Sequence, residues 1–567
     1  MKKALLFLVL LLAVTGAAVS AFALEPDVLR AGKLLYKLNE DEAAIIVGGV
    51  NVRGKLEIPP EVDGYPVIAI AERAFDDVPL LTKVTIPTGI RSIGDRAFYN
   101  TQLESLTLPE GVSSIGTEAF AHCGHMTSVT LPESLYDLGS RAFMGCSKLT
   151  RIDLPNGIGR IGDNPFAWCG SLTWIGVDSN HPLLRFENGA LYAWPENRLV
   201  SCLLSSSASF DVPHGTRIIG GSAFFHNYLL SSITIPDSVV EIGDLAFAEC
   251  SELESIFLPA GVTRVGANPF SLCMKLSTMD VSPDNPELFV RDGVLYSRQD
   301  SRLICYPAMK TAASPTIPDD VEIIGDYAFY NCNGLKYVRI PGTVSEVGDH
   351  AFDSCNNLEE VMIDEGVATL GSSAFSGCGA LLRVTLPLTI TRIEDKAFNY
   401  CYHMTDITIH DVVTYIGERA FYECSALEDL RLPSGLQYLG REAFAKCSGL
   451  VNVEITGPVP VIPVKAFNRC SSLDRLTIAE GVERIADEAF DSCQALAEVV
   501  LPESLTEIGD RAFAYCYDLQ SILIPPTVMH IGEEILTGDK SLENVLVVPN
   551  SAIHHYCDDH KIPFALY

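Results

Sequence analysis

Cysteine is the residue type in this sequence whose number and regular spacing suggest a chemical role. Of 17 cysteines, Cys202, Cys305 and Cys557 lie apart from a regular series. The other fourteen recur at a mostly constant spacing, at Cys123, Cys146, Cys169, Cys250, Cys273, Cys332, Cys355, Cys378, Cys401, Cys424, Cys447, Cys470, Cys493 and Cys516. In a stacked repeat this spacing brings neighbouring Cα atoms to about 5 Å, which permits disulfides in an oxidising compartment. Buried thiols that act as small hydrophobes are the alternative, and the odd total excludes complete pairing.

Metal binding and catalysis have less support in the sequence. The segment "HHYCDDH", His554 to His560, offers imidazole, thiolate and carboxylate groups that a transition metal could use. A terminal cap needs such a polar surface without any ligand, which is the alternative. No C-x-x-C pair has a partner at zinc spacing, and no G-x-S-x-G, H-E-x-x-H or Walker motif is present. We therefore predict no catalytic residue, no metal and no cofactor. Acidic residues are abundant, and a hydrolase can work with a pair of carboxylates. A hydrolase of extracellular polymers is therefore also kept as a functional hypothesis.

The start of the chain and its charge indicate the compartment and exclude one class of partner. Two lysines precede an apolar run, Ala4 to Val14, and the triplet "AFA" ends at Ala23. This pattern is typical of a secretory signal peptide of residues 1–23. We expect a mature chain that begins at Leu24, is secreted or associated with the cell surface, and has neither membrane insertion nor an anchor motif. A formal net charge of −32 argues against a phosphate-tracking surface, so nucleic acid is not a predicted partner.

Phenylalanine marks a repeat along nearly the whole chain. In "AF" or "PF" pairs it stands at Phe75, Phe98, Phe120, Phe143, Phe166, Phe224, Phe247, Phe270, Phe329, Phe352, Phe375, Phe398, Phe421, Phe444, Phe467, Phe490 and Phe513. The numbering advances by 23 at nearly every step, apart from one step of 22 and two of 58 and 59. Leu536 stands where another phenylalanine is due. Around these positions the pattern L-x-x-V-x-L-P-x-x-L-x-x-I-G-x-x-A-F-x-x-C recurs. Such regularity predicts a solenoid.

One repeat illustrates the elements that position these residues. Val499 and Leu501 alternate with polar neighbours, which predicts a short strand of a parallel sheet that Pro502 ends. We expect Gly509 to permit a tight turn and Asp510 to be the N-cap of a short helical turn. A unit of this size cannot bury its apolar face alone, so the coils must stack.

These motifs carry a family resemblance. The segment L-x-x-V-x-L with I-G-x-x-A-F-x-x-C resembles the BspA-like leucine-rich repeat family of secreted and cell-surface bacterial proteins. Residues 58–75 resemble the first coil of that family, and residues 547–567 resemble its closing cap. The resemblance implies an α/β leucine-rich repeat solenoid with a parallel sheet on its concave face and short helical or irregular turns on the other. It also implies recognition of macromolecules, including host extracellular proteins, and not catalysis.

Two long inserts interrupt the repeat and resemble each other. "VDSNHPLLRFENGALY" from Val177 aligns with "VSPDNPELFVRDGVLY" from Val281, at a numbering offset of 104. Within them, Asn188-Gly189 and Asp292-Gly293 predict the turns of two β-hairpins, because a type I′ turn needs positive φ at both central residues. We expect each hairpin to stand off the solenoid. It is either a binding loop or a spacer that only bends the solenoid.

The exposed positions of the predicted strands suggest a binding surface. Arginine and aromatic residues are enriched at interface hot spots, and between positions 337 and 475 they are frequent at these exposed places. The candidate residues are Tyr337, Arg339, Met362, Arg383, Arg431, Glu454 and Arg475.

The predicted organisation follows the repeat. It comprises a signal peptide (1–23), an N-terminal capping segment with the first coil (24–74), repeats (75–173), an insert (174–213), repeats (214–277), a second insert (278–318), repeats (319–545) and a C-terminal cap (546–567). The predicted function is adhesion or host interaction through an extracellular protein or glycan ligand. A passive structural protein of the cell envelope is the alternative.

Overall fold

The computed structural model describes residues 27–203, 208–310 and 312–567. The predicted signal peptide, residues 1–23, lies outside these described residues. The chain forms two compact units, Met1–Leu191 and Tyr192–Tyr567. In both units, one sequence repeat forms one coil of a solenoid.

Each coil contains two short strands and one turn. In one coil, the strand Arg475–Ile478 alternates exposed and buried residues, as its period-two pattern predicts. The two-residue strand Arg484–Ile485 follows and buries its isoleucine. In each unit, the longer strands form a front sheet, mostly two-residue strands form a side sheet, and the "AF" segments form a turn face. The sequence analysis did not predict the side sheet.

The front sheet pairs its strands in parallel, with equivalent positions of successive coils opposite each other, as at Arg475, Asn452 and Glu498. In the first unit its strands are Gly54–Glu57, Leu81–Thr85, Ser105–Thr107, Ser128–Thr130, Arg151–Asp153 and Trp174–Gly176. In the second unit they are Ser209–Asp211, Ser232–Thr234, Ser255–Leu258, Thr278–Val281, Tyr337–Ile340, Glu360–Ile363, Arg383–Thr385, Asp406–Ile407, Asp429–Leu432, Asn452–Ile455, Arg475–Ile478, Glu498–Val500, Ser521–Leu523, Asn544–Val547 and Phe564–Leu566.

The side sheet is parallel as well. In the first unit its strands are Ser92–Ile93, Ser114–Ile115, Asp137–Leu138 and Arg160–Ile161. In the second unit they are Arg198–Cys202, Ile218–Ile219, Glu241–Ile242, Arg264–Val265, Ile323–Ile324, Glu346–Val347, Thr369–Leu370, Arg392–Ile393, Tyr415–Ile416, Tyr438–Leu439, Val461–Ile462, Arg484–Ile485, Glu507–Ile508 and His530–Ile531.

Different elements close the two ends of the repeat. In the first unit, antiparallel strands precede the coils: Leu29–Ala31, Leu34–Leu38 and Ala44–Gly49, followed by a hairpin of Glu61–Val62 and Tyr65–Ile70. In the second unit, the helix Ala552–His560 comes before the last strand, and the Ser551 side chain caps it by accepting a hydrogen bond from the backbone N–H of His554. Among the described residues, this is the only α-helix. No helix in the described ranges could cross a membrane.

The turn face corrects two of our expectations. Arg511 and Tyr515, which flank Phe513, have φ of 54° and 59°. Left-handed residues on both sides interrupt a right-handed helix, so the predicted helical turn is absent from this coil. The backbone N–H of Phe513 instead donates to the oxygen of Ile535 in the next coil, at 3.0 Å. Asp510 is therefore not a helix N-cap. Its Oδ1 accepts a hydrogen bond from the backbone N–H of Glu533 in the next coil, at 2.7 Å.

The glycine of the "IG" pair is needed for close contact between coils. At Gly509, an added Cβ would lie 2.4 Å from Oδ1 of Asp487 in the preceding coil. That Oδ1 accepts a hydrogen bond from the backbone N–H of Asp510 at 3.0 Å. Gly509 also lies outside the left-handed region, so it does not serve the tight turn that we predicted.

Stacked aromatic rings form the centre of the core. Phe398 is fully buried, and its ring centroid lies 5.6 Å from that of Phe375 and 5.4 Å from that of Phe421. Tyr306 stands one repeat before Phe329 and stacks on it, with ring centroids 4.8 Å apart. The second insert therefore contributes a ring to the stack, which the phenylalanine pattern did not predict.

The second insert is an antiparallel extension of the side sheet. Its strands Leu288–Arg291, Val294–Ser297 and Arg302–Cys305 pair in sequence order, and the last pairs in parallel with Ile323–Ile324. The predicted hairpin is present, but it does not stand off the solenoid because its third strand joins the sheet. The first insert contains the strands Leu184–Glu187 and Ala190–Ala193.

Candidate binding surfaces

The cysteine series forms a buried ladder of hydrogen bonds. All 17 cysteines are free and buried thiols. In the series, each Sγ donates to the backbone oxygen of the ring residue in the preceding coil, for example at 3.1 Å from Cys424 to Phe398. Burial raises the pKa of Cys123 to about 11, which keeps that thiol protonated as a donor. The structure therefore has the buried-thiol arrangement and not disulfides.

This arrangement predicts a simple titration. After unfolding in denaturant without reductant, the protein should present 17 thiols to a thiol-reactive dye, because none is consumed in a disulfide. In the native state, the ladder thiols should react far more slowly, since they are buried. A denatured count that is lower by an even number would contradict the ladder and indicate disulfides.

Two C-terminal histidines form hydrogen bonds within the C-terminal cap. The backbone N–H of Asn550 donates to Nδ1 of His554 at 3.0 Å, and Nδ1 of His560 lies 3.0 Å from the oxygen of Tyr556. Cys557 is fully buried. Across the described ranges, no group of three or more His, Cys, Asp or Glu residues could hold a metal ion.

The seven predicted binding residues lie on front-sheet strands of the second unit, and all are exposed. We name this set, Tyr337, Arg339, Met362, Arg383, Arg431, Glu454 and Arg475, the front patch. It occupies two rows, because the first and third residues of each strand are exposed or partly exposed while the second is buried. Arg339 is in register with Met362, and Arg431 with Glu454.

The row formed by the first residues of the strands also contains acidic residues that the sequence analysis missed. Arg383 lies in register between Glu360 and Asp406. These neighbours lie one repeat away on either side in the sequence, so the repeat spacing could have found them. The front patch is therefore a surface of mixed charge.

Two of the four arginines in the front patch form salt bridges. Arg339 binds Asp364 with a nitrogen–oxygen distance of 2.5 Å, and Arg475 lies 3.3 Å from Glu498. Arg383 and Arg431 form no salt bridge with any described residue. Their guanidinium groups are exposed, so both are available to a ligand.

The predicted insert turns have the expected backbone geometry. Asn188 and Gly189 have φ of 51° and 75°, and Asp292 and Gly293 have φ of 51° and 71°. Beside the second turn is a cavity of about 260 Å³ whose lining includes Phe289 and Arg291. Arg291 is held there by two hydrogen bonds to Asp320, at 2.8 and 2.7 Å.

A groove on the turn face was not anticipated. It has a volume of about 410 Å³ and lies among residues 422–515. Its carboxylates are paired with cations, as in the contacts of Arg419 with Glu442 at 2.7 Å and of Arg511 with Asp491 at 2.8 Å. These pairs neutralise much of the charge in the groove.

A buried polar residue anchors each insert. The backbone N–H groups of Leu183 and Leu184 donate to Nδ1 of His181 at 3.1 and 3.0 Å, and Nε2 lies 3.1 Å from the oxygen of Pro155. His181 is fully buried. Desolvation lowers its pKa, and Arg185 lowers it further. The ring is therefore neutral, with its proton on Nε2.

Asn285 has the same role in the second insert. Its Nδ2 donates to the oxygen of Pro259 at 2.9 Å, and its Oδ1 accepts hydrogen bonds from the backbone N–H groups of Glu287 and Leu288, at 3.0 and 2.8 Å. These residues and their partners differ in number by 104 from His181 and its partners. The duplicated blocks thus keep one hydrogen-bond pattern with two different side chains.

The fold is a solenoid of stacked parallel strands whose coils contain no helix in the described residues. The chain matches the BspA type leucine rich repeat region over residues 68–189, 202–288, 305–428 and 414–543, and it therefore belongs to this family. A leucine rich cell surface protein from Faecalibacterium prausnitzii is similar at 25% identity over 84% of this chain and 94% of that chain, with a TM-score of 0.29. A leucine-rich repeat protein from Bacteroides ovatus is similar at 22% identity over 88% and 95% of the two chains, with a TM-score of 0.27. No curated protein matches this chain.

Proposed function

We propose that this protein is extracellular and binds an extracellular macromolecule through the front patch, in adhesion or host interaction. The observation that carries the proposal is the exposure of Arg383 and Arg431 without salt-bridge partners among the described residues, on the same sheet face as the exposed Tyr337 and Met362. A guanidinium binds a carboxylate in bidentate geometry, and aromatic and methionine side chains add apolar contact area. A protein surface that presents carboxylates fits this combination.

Charge reversal tests the proposal. The full chain without its signal peptide is immobilised and titrated with extracellular matrix proteins, mucins and bacterial wall glycans. We expect saturable binding of one panel member, weakened at least tenfold by Arg383→Glu with Arg431→Glu, because like charges then face the ligand.

The matched control is Arg91→Glu with Arg160→Glu. These arginines are exposed, form no salt bridge with described residues and belong to the first unit. Because two arginines are again replaced by two glutamates, the change in net charge is the same. Equal loss in both double variants would mean that only net charge matters. If the folded protein binds no panel member, the structural role in the cell envelope is favoured instead.

A further inference from the structure

Tryptophan is concentrated in one part of this chain. All three tryptophans, Trp168, Trp174 and Trp194, lie within the first insert or just before it. Their exposed fractions are 42%, 49% and 61%. Tryptophan is highly buried on average, so three exposed tryptophans in one part of the chain are unusual. Trp174 alone of the three lies on a front-sheet strand.

Polar and aromatic groups surround the Trp174 indole. Phe186 of the first insert packs edge-on against it, with ring centroids 5.8 Å apart and an angle of 70°. In the neighbouring strand, Arg151 is in register with Trp174 and Asp153 with Gly176. Arg151 Nη2 donates to Asp153 Oδ1 at 2.7 Å, which holds the carboxylate in place.

Gly176 lets the Asp153 carboxylate approach the strand that carries the indole. A Cβ at this position would lie 1.9 Å from Asp153 Oδ1 and 3.4 Å from the Nε1 of Trp174. The carboxylate oxygen therefore occupies the place of the missing side chain, beside the indole N–H. One small ligand could reach an N–H donor, a carboxylate acceptor and an aromatic ring at once.

The duplicated block indicates that folding does not need this arrangement. At the numbering offset of 104, Thr278 replaces Trp174, Asp280 replaces Gly176, and Val290 replaces Phe186. The strand register is unchanged, because Ser255 is opposite Thr278 there as Arg151 is opposite Trp174 here. The aromatic pair is thus dispensable for the backbone and available for binding.

We infer that Trp174, Phe186, Asp153 and Arg151 form a binding site for a neutral sugar unit of a glycan. The apolar face of a sugar ring would pack on the indole. Its hydroxyls, which both donate and accept, would donate to Asp153 and accept from the indole N–H. An acidic sugar would be repelled by the Asp153 carboxylate and by the net charge of −32. One coil beyond Arg151–Asp153, the strand Ser128–Thr130 exposes only Ser128 and Thr130, so a protein partner would find no wider apolar core.

A fluorescence titration tests the site. The double variant Trp168→Phe with Trp194→Phe leaves Trp174 as the sole tryptophan of the full chain. We expect galactomannan or dextran to change its emission saturably and polygalacturonate to leave it unchanged. In the same background, Asp153→Ala should weaken the response at least tenfold. Asp280→Ala, on the equivalent strand of the second block, should not.

The Trp174 site shares no residue with the front patch, so the two proposals can be tested independently. Arg383→Glu with Arg431→Glu should leave the Trp174 response intact. The inference is overturned if the folded reporter variant responds to neither neutral polysaccharide. It is overturned equally if polygalacturonate gives the larger response, or if Asp153→Ala changes nothing.

Discussion

Replacing Phe398 by alanine should lower the free energy of unfolding by about 3–5 kcal/mol, the range for large-to-alanine changes of buried aromatic residues. The ring is fully buried between Phe375 and Phe421, so its loss leaves a cavity and breaks two stacking contacts. Urea unfolding followed by circular dichroism measures the change. Because repeat proteins unfold coil by coil, a separate early transition is also expected.

The chain itself provides the control. Leu536 stands one repeat after Phe513 and is also buried, so leucine is tolerated at this position. Phe398→Leu should therefore cost less than half as much as Phe398→Ala, since it retains most of the buried volume. Equal destabilisation by the two variants would show that the aromatic stack matters and not the filled volume.

Acidification should destabilise the first insert through His181. The folded protein holds this ring neutral with a lowered pKa, while the unfolded chain binds a proton below its ordinary value of about 6.5. Between those two pKa values the unfolded state holds more protons, so stability falls as pH falls. The loss is at most about 1.4 kcal/mol for each pH unit. Amide exchange at Leu183 and Leu184, whose N–H groups donate to Nδ1, reports it locally between pH 7.5 and 5.

A reciprocal pair of variants isolates this effect. His181→Asn should keep the anchor, because Asn285 makes the equivalent hydrogen bonds, and should remove the pH dependence at Leu183 and Leu184. Asn285→His should create the same dependence at Glu287 and Leu288. If His181→Asn leaves the pH dependence unchanged, another group is responsible, and Asp178 and Glu133 are the nearby acidic residues to examine.

The candidate surfaces were only partly predictable. Repeat spacing placed Arg383 and Arg431 on exposed front-sheet positions, because the alternation of a strand is written in the order of its residues. It did not distinguish these arginines from Arg339, whose salt bridge to Asp364 depends on side-chain geometry between coils. The Trp174 site was missed, since Phe186 and Asp153 approach the indole only after the chain has coiled.

The sequence by itself determined the length of a coil, the buried ladders and the insert turns. These depend on local spacing and on residues such as Asn188 and Gly189 that favour positive φ. The tertiary structure decided what meets between coils. Asp510 looked like a helix cap, but the N–H of Glu533 in the next coil binds its carboxylate, and Gly509 is required by the approach of Asp487. Such contacts exist only between stacked coils, so no local pattern could reveal which group each residue would face.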